Sequence, residues 1–264
     1  MSAPSVDLAV PGRRPPRRAP LVALSVGLTA ATAWALLIVG EATGVARHLD
    51  HDAVLESGSV APIGIAAFLL GWLVAVLAMM APTVAPALGP LRAGADPGRT
   101  GVLGPFLGGF ALVWAVAGLA VLGVDMVVHL AVHRVPALEA RPWLVAAGVL
   151  AAAGAIQLLP STRRALAGAR RPVWKGPSAA GVAFRAGQRH GRRCLRSDGP
   201  LMLVMFAVGA SLAWMAVLTV VMVGERSGRA GQPLALATGV ALVAAGTVAA
   251  LEPSLLPFPS GETR

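Results

Sequence analysis

Residues 71–90, GWLVAVLAMMAPTVAPALGP, are apolar and free of charge, and carry Pro82, Pro86 and Pro90 at four-residue intervals. Each proline inside a helix removes an i to i−4 hydrogen bond and crowds the preceding turn, so a helix in a soluble core would not hold three of them. A membrane bundle can, because neighbouring helices, hydroxyls and trapped water satisfy the freed carbonyls. The stretch therefore points to a helix packed among others in lipid.

Composition agrees: 56% of the 264 residues are hydrophobic and 13% charged, against about 25% charge in an ordinary soluble domain. The net charge of +10 is confined to segments between apolar runs, which makes it a topology signal and argues against nucleic-acid binding. A single cysteine, Cys194, excludes an internal disulfide framework.

About 20 apolar residues at 1.5 Å rise cross the bilayer's hydrocarbon layer. On that rule the chain reads as an all-α, polytopic membrane helix bundle of about six transmembrane helices, over residues 21–40, 62–88, 102–124, 142–159, 200–223 and 233–251. The third can continue to His133. A basic, disordered tail, residues 1–20, precedes them, a basic loop, 160–199, joins the fourth to the fifth, and a tail, 252–264, follows. The first run also has the Arg-before-apolar order of a signal peptide, but its length favours a retained span. Lys and Arg collect in the first tail, at Arg92 and Arg99, and in the 160–199 loop. The positive-inside rule then puts both termini in the cytoplasm and the protein, as a multi-pass chain, in the inner (plasma) membrane. Arg226 and Glu225 fall on the outer side in this scheme, and no ionisable residue falls well inside a span. Gly104 and Gly108 stand four residues apart, a spacing that permits close helix packing.

Two places hold candidate metal ligands. In the basic loop, a helical projection of residues 178–196 puts Arg185, Arg189, Arg192, Arg193 and Arg196 in one stripe, suited to anionic lipid headgroups. His190 and Cys194 fall together on the opposite face. The six-span topology brings Met79 and Met80, at the inner end of the second span, and Met202 and Met205, at the start of the fifth, to the same depth. Soft sulfur ligands favour Cu(I), and imidazole suits copper as well. The bland reading is methionine as core filler and a solvated histidine. The second place is the outer end of the third span, where Asp125, His129 and His133 recur every four residues, with His48, Asp50, His51 and Asp52 in the first external loop. Solvated histidines at a helix end are the alternative there. No motif specifies a reaction, so the chain is not expected to be an enzyme.

These residues resemble a bacterial family of predicted metal-binding integral membrane proteins with a proposed link to copper handling. The resemblance rests on WLVAVLAMMAPTVAP, on Gln157 to Pro160, and on RAGQRHGRRC followed by PLMLVMFAVGASLAWMAVLTVVMVGER. It implies functional positions at Met79, Met80, His190, Cys194, Met202 and Met215. The chain departs from the family where a cysteine pair usually follows the first cysteine, with Ser197 and Asp198 instead, and has Ala165 where another cysteine is common. Two functions follow as expectations. One is a membrane protein that binds or passes a soft metal, most plausibly copper, near the cytoplasmic leaflet, working with a metal-handling protein partner. The other is a non-catalytic membrane scaffold whose methionines only pack.

Overall fold

A computed structural model describes residues 19–45, 62–84, 103–169, 179–209, 211–226, 230–252 and 254. These form nine helices: α1 Ala19–Ala42, α2 Pro62–Val84, α3 Leu103–Arg134, α4 Pro136–Glu139, α5 Trp143–Leu158, α6 Pro160–Ala169, α7 Ala180–Val208, α8 Leu212–Glu225 and α9 Gly231–Leu251. The expectations placed on residues 1–18, on Pro86, Pro90, Arg92 and Arg99, on the loop with His48, Asp50, His51 and Asp52, and on residues 255–264 lie outside the described residues.

Among the described residues four stretches are long and apolar enough to cross a membrane: Leu24–Ala42, Pro62–Val84, Leu103–Val132 and Gly231–Leu251. A fifth is counted if α5 and α6, bent by 64° between Leu158 and Pro160, act together. Four to five candidate spans are thus present where about six were expected. The difference arises in the segment expected as one span, 200–223. There α7 runs through Pro200 to Val208, and Gly209, at a φ of +80°, ends it. That left-handed conformation is readily adopted only by glycine. Ser211 then caps α8 by accepting the Trp214 N–H at 3.3 Å. At 14 residues, α8 is about 21 Å long and falls short of the roughly 30 Å hydrocarbon layer.

Pro82 is accommodated as a bundle allows. Its missing N–H leaves the Ala78 carbonyl without an intrahelical donor, and the Trp34 indole of α1 donates to that carbonyl at 3.1 Å. Helix α2 continues through Pro82 to Val84.

The contacts fix the path of the chain. Val84 shares a small cavity with Leu103 and Ser25, and the Trp72 indole donates to the Trp114 carbonyl at 2.8 Å. Hence α2 is antiparallel to α1 and α3. Helix α7 lies parallel to α3, with Gly187 opposite Phe106 and Gly191 opposite Val113. Helix α9 runs antiparallel to α5, with Gly239 opposite Leu158 and Gly246 opposite Ala147. The close approach of α3 and α7 depends on glycine. A Cβ at Gly187 would lie 2.0 Å from the Phe106 carbonyl oxygen, and one at Gly109 would lie 2.1 Å from that of Phe184. Gly104 has nothing within 4 Å of such a Cβ and Gly108 meets only the Phe184 ring, so the close-packed register is Gly109–Gly187.

On this path the first residues of α1 lie at the end of the bundle that holds Val84, and the last residues of α9 lie at the other.

Candidate metal centre

The buried face of α7 repeats every four residues. His190, Cys194, Asp198 and Met202 recur at that interval, followed by Met205, and all are buried. Side chains at i and i+4 share a helix face. The opposite side holds Arg185, Arg189, Arg192 and Arg196, all exposed, with Arg193 half-buried. The helix that carries both sets begins at Ala180 and extends to Val208, past the segment 178–196 read as amphipathic.

Across from this face, α2 presents Met79 and Met80, both 0% exposed. The Met80 Sδ lies 3.5 Å from the Cys194 Sγ. The Cys194 thiol donates to Asp198 Oδ2 at 3.2 Å, and Thr83 Oγ1 donates to the Met80 carbonyl at 2.8 Å. His190, 0% exposed, sits one turn before Cys194, its ring 6.0 Å from that of Phe106 and 5.9 Å from that of Phe110. Neither of its ring nitrogens has a hydrogen-bond partner among the described residues. Buried polar atoms are normally paired, and leaving one unpaired costs about 1–3 kcal/mol. An imidazole in that state, one helical turn from Cys194, keeps two unengaged nitrogen donors on the face that carries the thiol.

Arg226 completes the site from the end of α8. Its guanidinium donates to the Asp198 carboxylate, to Cys194 Sγ at 3.3 Å, to Ser197 Oγ at 3.4 Å and to the Thr83 carbonyl at 3.4 Å. The Arg226 side chain is 7% exposed and that of Asp198 0%. Next to it, Glu225 accepts from Gln157 Nε2 at 2.8 Å, which ties the end of α8 to α5.

This arrangement corrects two expectations. Arg226 and Glu225 had been placed on the side opposite Met80, but the hairpin at Gly209 folds α8 back so that both reach the level of Thr83. Asp198, Glu225 and Arg226, which lie just beyond the ends of the span expected over 200–223, are buried ionisable groups of this site. Met202 and Met205 lie near the far end of α7, not at the start of a span. Eight residues from Cys194 to Met202 amount to about 12 Å of helix, so Met202 and Met205 stand apart from the Met80–Cys194 pair. Met215 is buried on α8. Asp125 is half-buried and His129 exposed on α3, and the His133 side chain lies outside the described residues.

Sulfurs 3.5 Å apart can share one ion held at about 2.3 Å from each. The two sulfurs thus suit a soft ion, and Ser197 and Asp198, which stand where the resemblance implies cysteines, line the same site. Among the described residues no group of three His, Cys, Asp or Glu has the geometry to hold a metal, so any ion here depends on the methionine sulfur. No curated protein and no solved structure matches the chain. The family described as PpoB2, copper chaperone, matches residues 69–249, a region that holds Met80, His190, Cys194, Asp198 and Arg226. The match covers more than two thirds of the sequence, and the chain belongs to the PpoB2 copper chaperone family.

Proposed function

We propose that this chain carries Cu(I) as cargo in a site formed by Met80, Cys194 and His190 inside a bundle that sits in the plasma membrane. The observation that supports this most is the 3.5 Å separation of the Met80 and Cys194 sulfurs beside a wholly buried histidine with both nitrogens unpaired. Thiolate and thioether are the ligands that select Cu(I), and imidazole adds a third donor without adding charge. Met79, next to Met80 on the same turn of α2, is equally buried, and Met202, Met205 and Met215 line the bundle beyond the site. The protein is a carrier and catalyses no reaction. The exposed arginines of α7 hold anionic lipid headgroups, and the copper is exchanged with a metal-handling partner protein.

The test is Cu(I) loading of the purified chain under reducing conditions. Wild type is expected to retain about one ion per chain, the number one compact soft site accepts, and a Met80→Leu/Cys194→Ser variant almost none. Equal retention by the two proteins would favour a scaffold in which the methionines only pack.

A further inference from the structure

Helices α3 and α5 both pack on α7 and barely touch each other. The groove between them holds a cavity of about 450 Å³, within the roughly 300–1,000 Å³ of small-ligand sites. None of Met80, His190 and Cys194 lines it. Its floor is aromatic. The Trp72 ring lies over Gly118, where an added Cβ would meet it at 2.6 Å, and the Trp72 indole donates to the Trp114 carbonyl. Along α7 the lining runs from Leu195 and Arg196 to Leu203, about 12 Å of helix. Helix α3 runs parallel to it with Val113 opposite Gly191, so Trp114 lies at the Arg196 end and Val121 at the Leu203 end. The two ends differ in chemistry. At the first, Arg196 is an exposed charge, and Trp114, 0% exposed, has an indole N–H with no partner among the described residues. At the second the lining is apolar.

We infer that this cavity holds one acyl chain of an anionic phospholipid from the surrounding bilayer, with the phosphate at Arg196. The inference rests on the placement of the bundle in the membrane and on nothing in the copper site. Exposed Ala120 and Ile156 rim the cavity, so it opens to the outside of the bundle, where lipid tails lie. An apolar groove left empty forfeits dispersion contacts along its lining, and a chain laid from Trp114 to Val121 restores them. The charge at one end selects the headgroup. Arg196 pairs with the phosphate as basic side chains do at a membrane surface. The Trp114 N–H, whose burial without a partner is costly, gains an ester carbonyl as acceptor. A zwitterionic lipid brings the same chain but offsets the phosphate with its own cation.

Native mass spectrometry of the purified full-length chain in detergent reads the bound lipid. Wild type is expected to retain about one phosphatidylglycerol per chain, the number one cavity of this size accepts. Phosphatidylcholine binds about fivefold more weakly, the worth of one basic side chain at an anionic headgroup. Arg196→Gln, at an exposed position, brings phosphatidylglycerol down to the phosphatidylcholine level, and Arg185→Gln, on the same stripe but outside the cavity, leaves it unchanged. A second arm reads the chain rather than the headgroup. Phosphatidylglycerol brominated on its acyl chains quenches indole fluorescence in wild type, and does so less in Val121→Phe, whose ring occupies the apolar end. Equal retention of the two phospholipids, equal losses in the two arginine variants, or quenching unchanged in Val121→Phe overturns the inference. Oleate retained as tightly as phosphatidylglycerol overturns it too, in favour of a free fatty acid. A chain that stays monodisperse without detergent instead refutes the membrane placement itself.

Discussion

Gly187→Ala is expected to break the packing of α3 on α7. The added Cβ would sit 2.0 Å from the Phe106 carbonyl oxygen, 2.9 Å from its carbon and 3.0 Å from the Phe110 nitrogen. These are backbone atoms, which cannot rotate away as a side chain would, so the two helices must separate. Overpacking a core ordinarily costs about 1–3 kcal/mol, and a backbone clash belongs at or above the top of that range. His190 lies three residues on, against Phe106 and Phe110, so the candidate site would be lost with the packing. Gly181→Ala is the control. Nothing lies within 4 Å of its Cβ, and alanine in a helix is favoured over glycine by about 1 kcal/mol. Equilibrium unfolding in mixed detergent should show Gly187→Ala strongly destabilised and Gly181→Ala unchanged or slightly more stable. Equal stability of the two would contradict the described helix pairing.

The second large effect is expected at the buried ion pair. Asp198→Leu removes the carboxylate and leaves the Arg226 guanidinium, 7% exposed, without a counter-charge. Breaking one side of a buried pair costs about 3–5 kcal/mol, whereas replacing both partners by apolar residues of similar size is often neutral or stabilising. Asp198→Leu should therefore unfold at much lower denaturant concentration than wild type, and Asp198→Leu/Arg226→Met should recover most of the loss. A single variant as stable as wild type would mean that Arg226 and Asp198 are not paired in the folded chain. Because Arg226 ends α8 and Asp198 lies within α7, the same measurement also tests the hairpin at Gly209.

The part of the site carried on one helix was legible in the sequence. Helical period puts His190 and Cys194 on one face and the arginines on the other, and no long-range information is needed for that. Asp198 carried the same signal, four residues after Cys194, but it reads first as a missing cysteine. Met80 was legible as a candidate sulfur ligand in a proline-broken span, and Trp34 as the hydrogen-bond donor to the Ala78 carbonyl was not, because nothing local links residues 44 apart. Arg226 could not be read at all. Its place depends on α8 turning back at Gly209, and an apolar run from Pro200 to Val223 looks the same whether it crosses the bilayer once or folds into a hairpin. The helical class and the apolar spans were evident from composition and run length. Their number was not, since one glycine in a left-handed conformation changes it.

If Met80, Cys194 and His190 hold one Cu(I), X-ray absorption at the copper edge of the loaded wild-type protein reads those ligands. Two sulfur neighbours at about 2.3 Å and one imidazole nitrogen at about 2.0 Å are expected, with one sulfur lost in Cys194→Ser and one lost in Met80→Leu. A spectrum with only nitrogen and oxygen neighbours, or one that neither substitution changes, would contradict it.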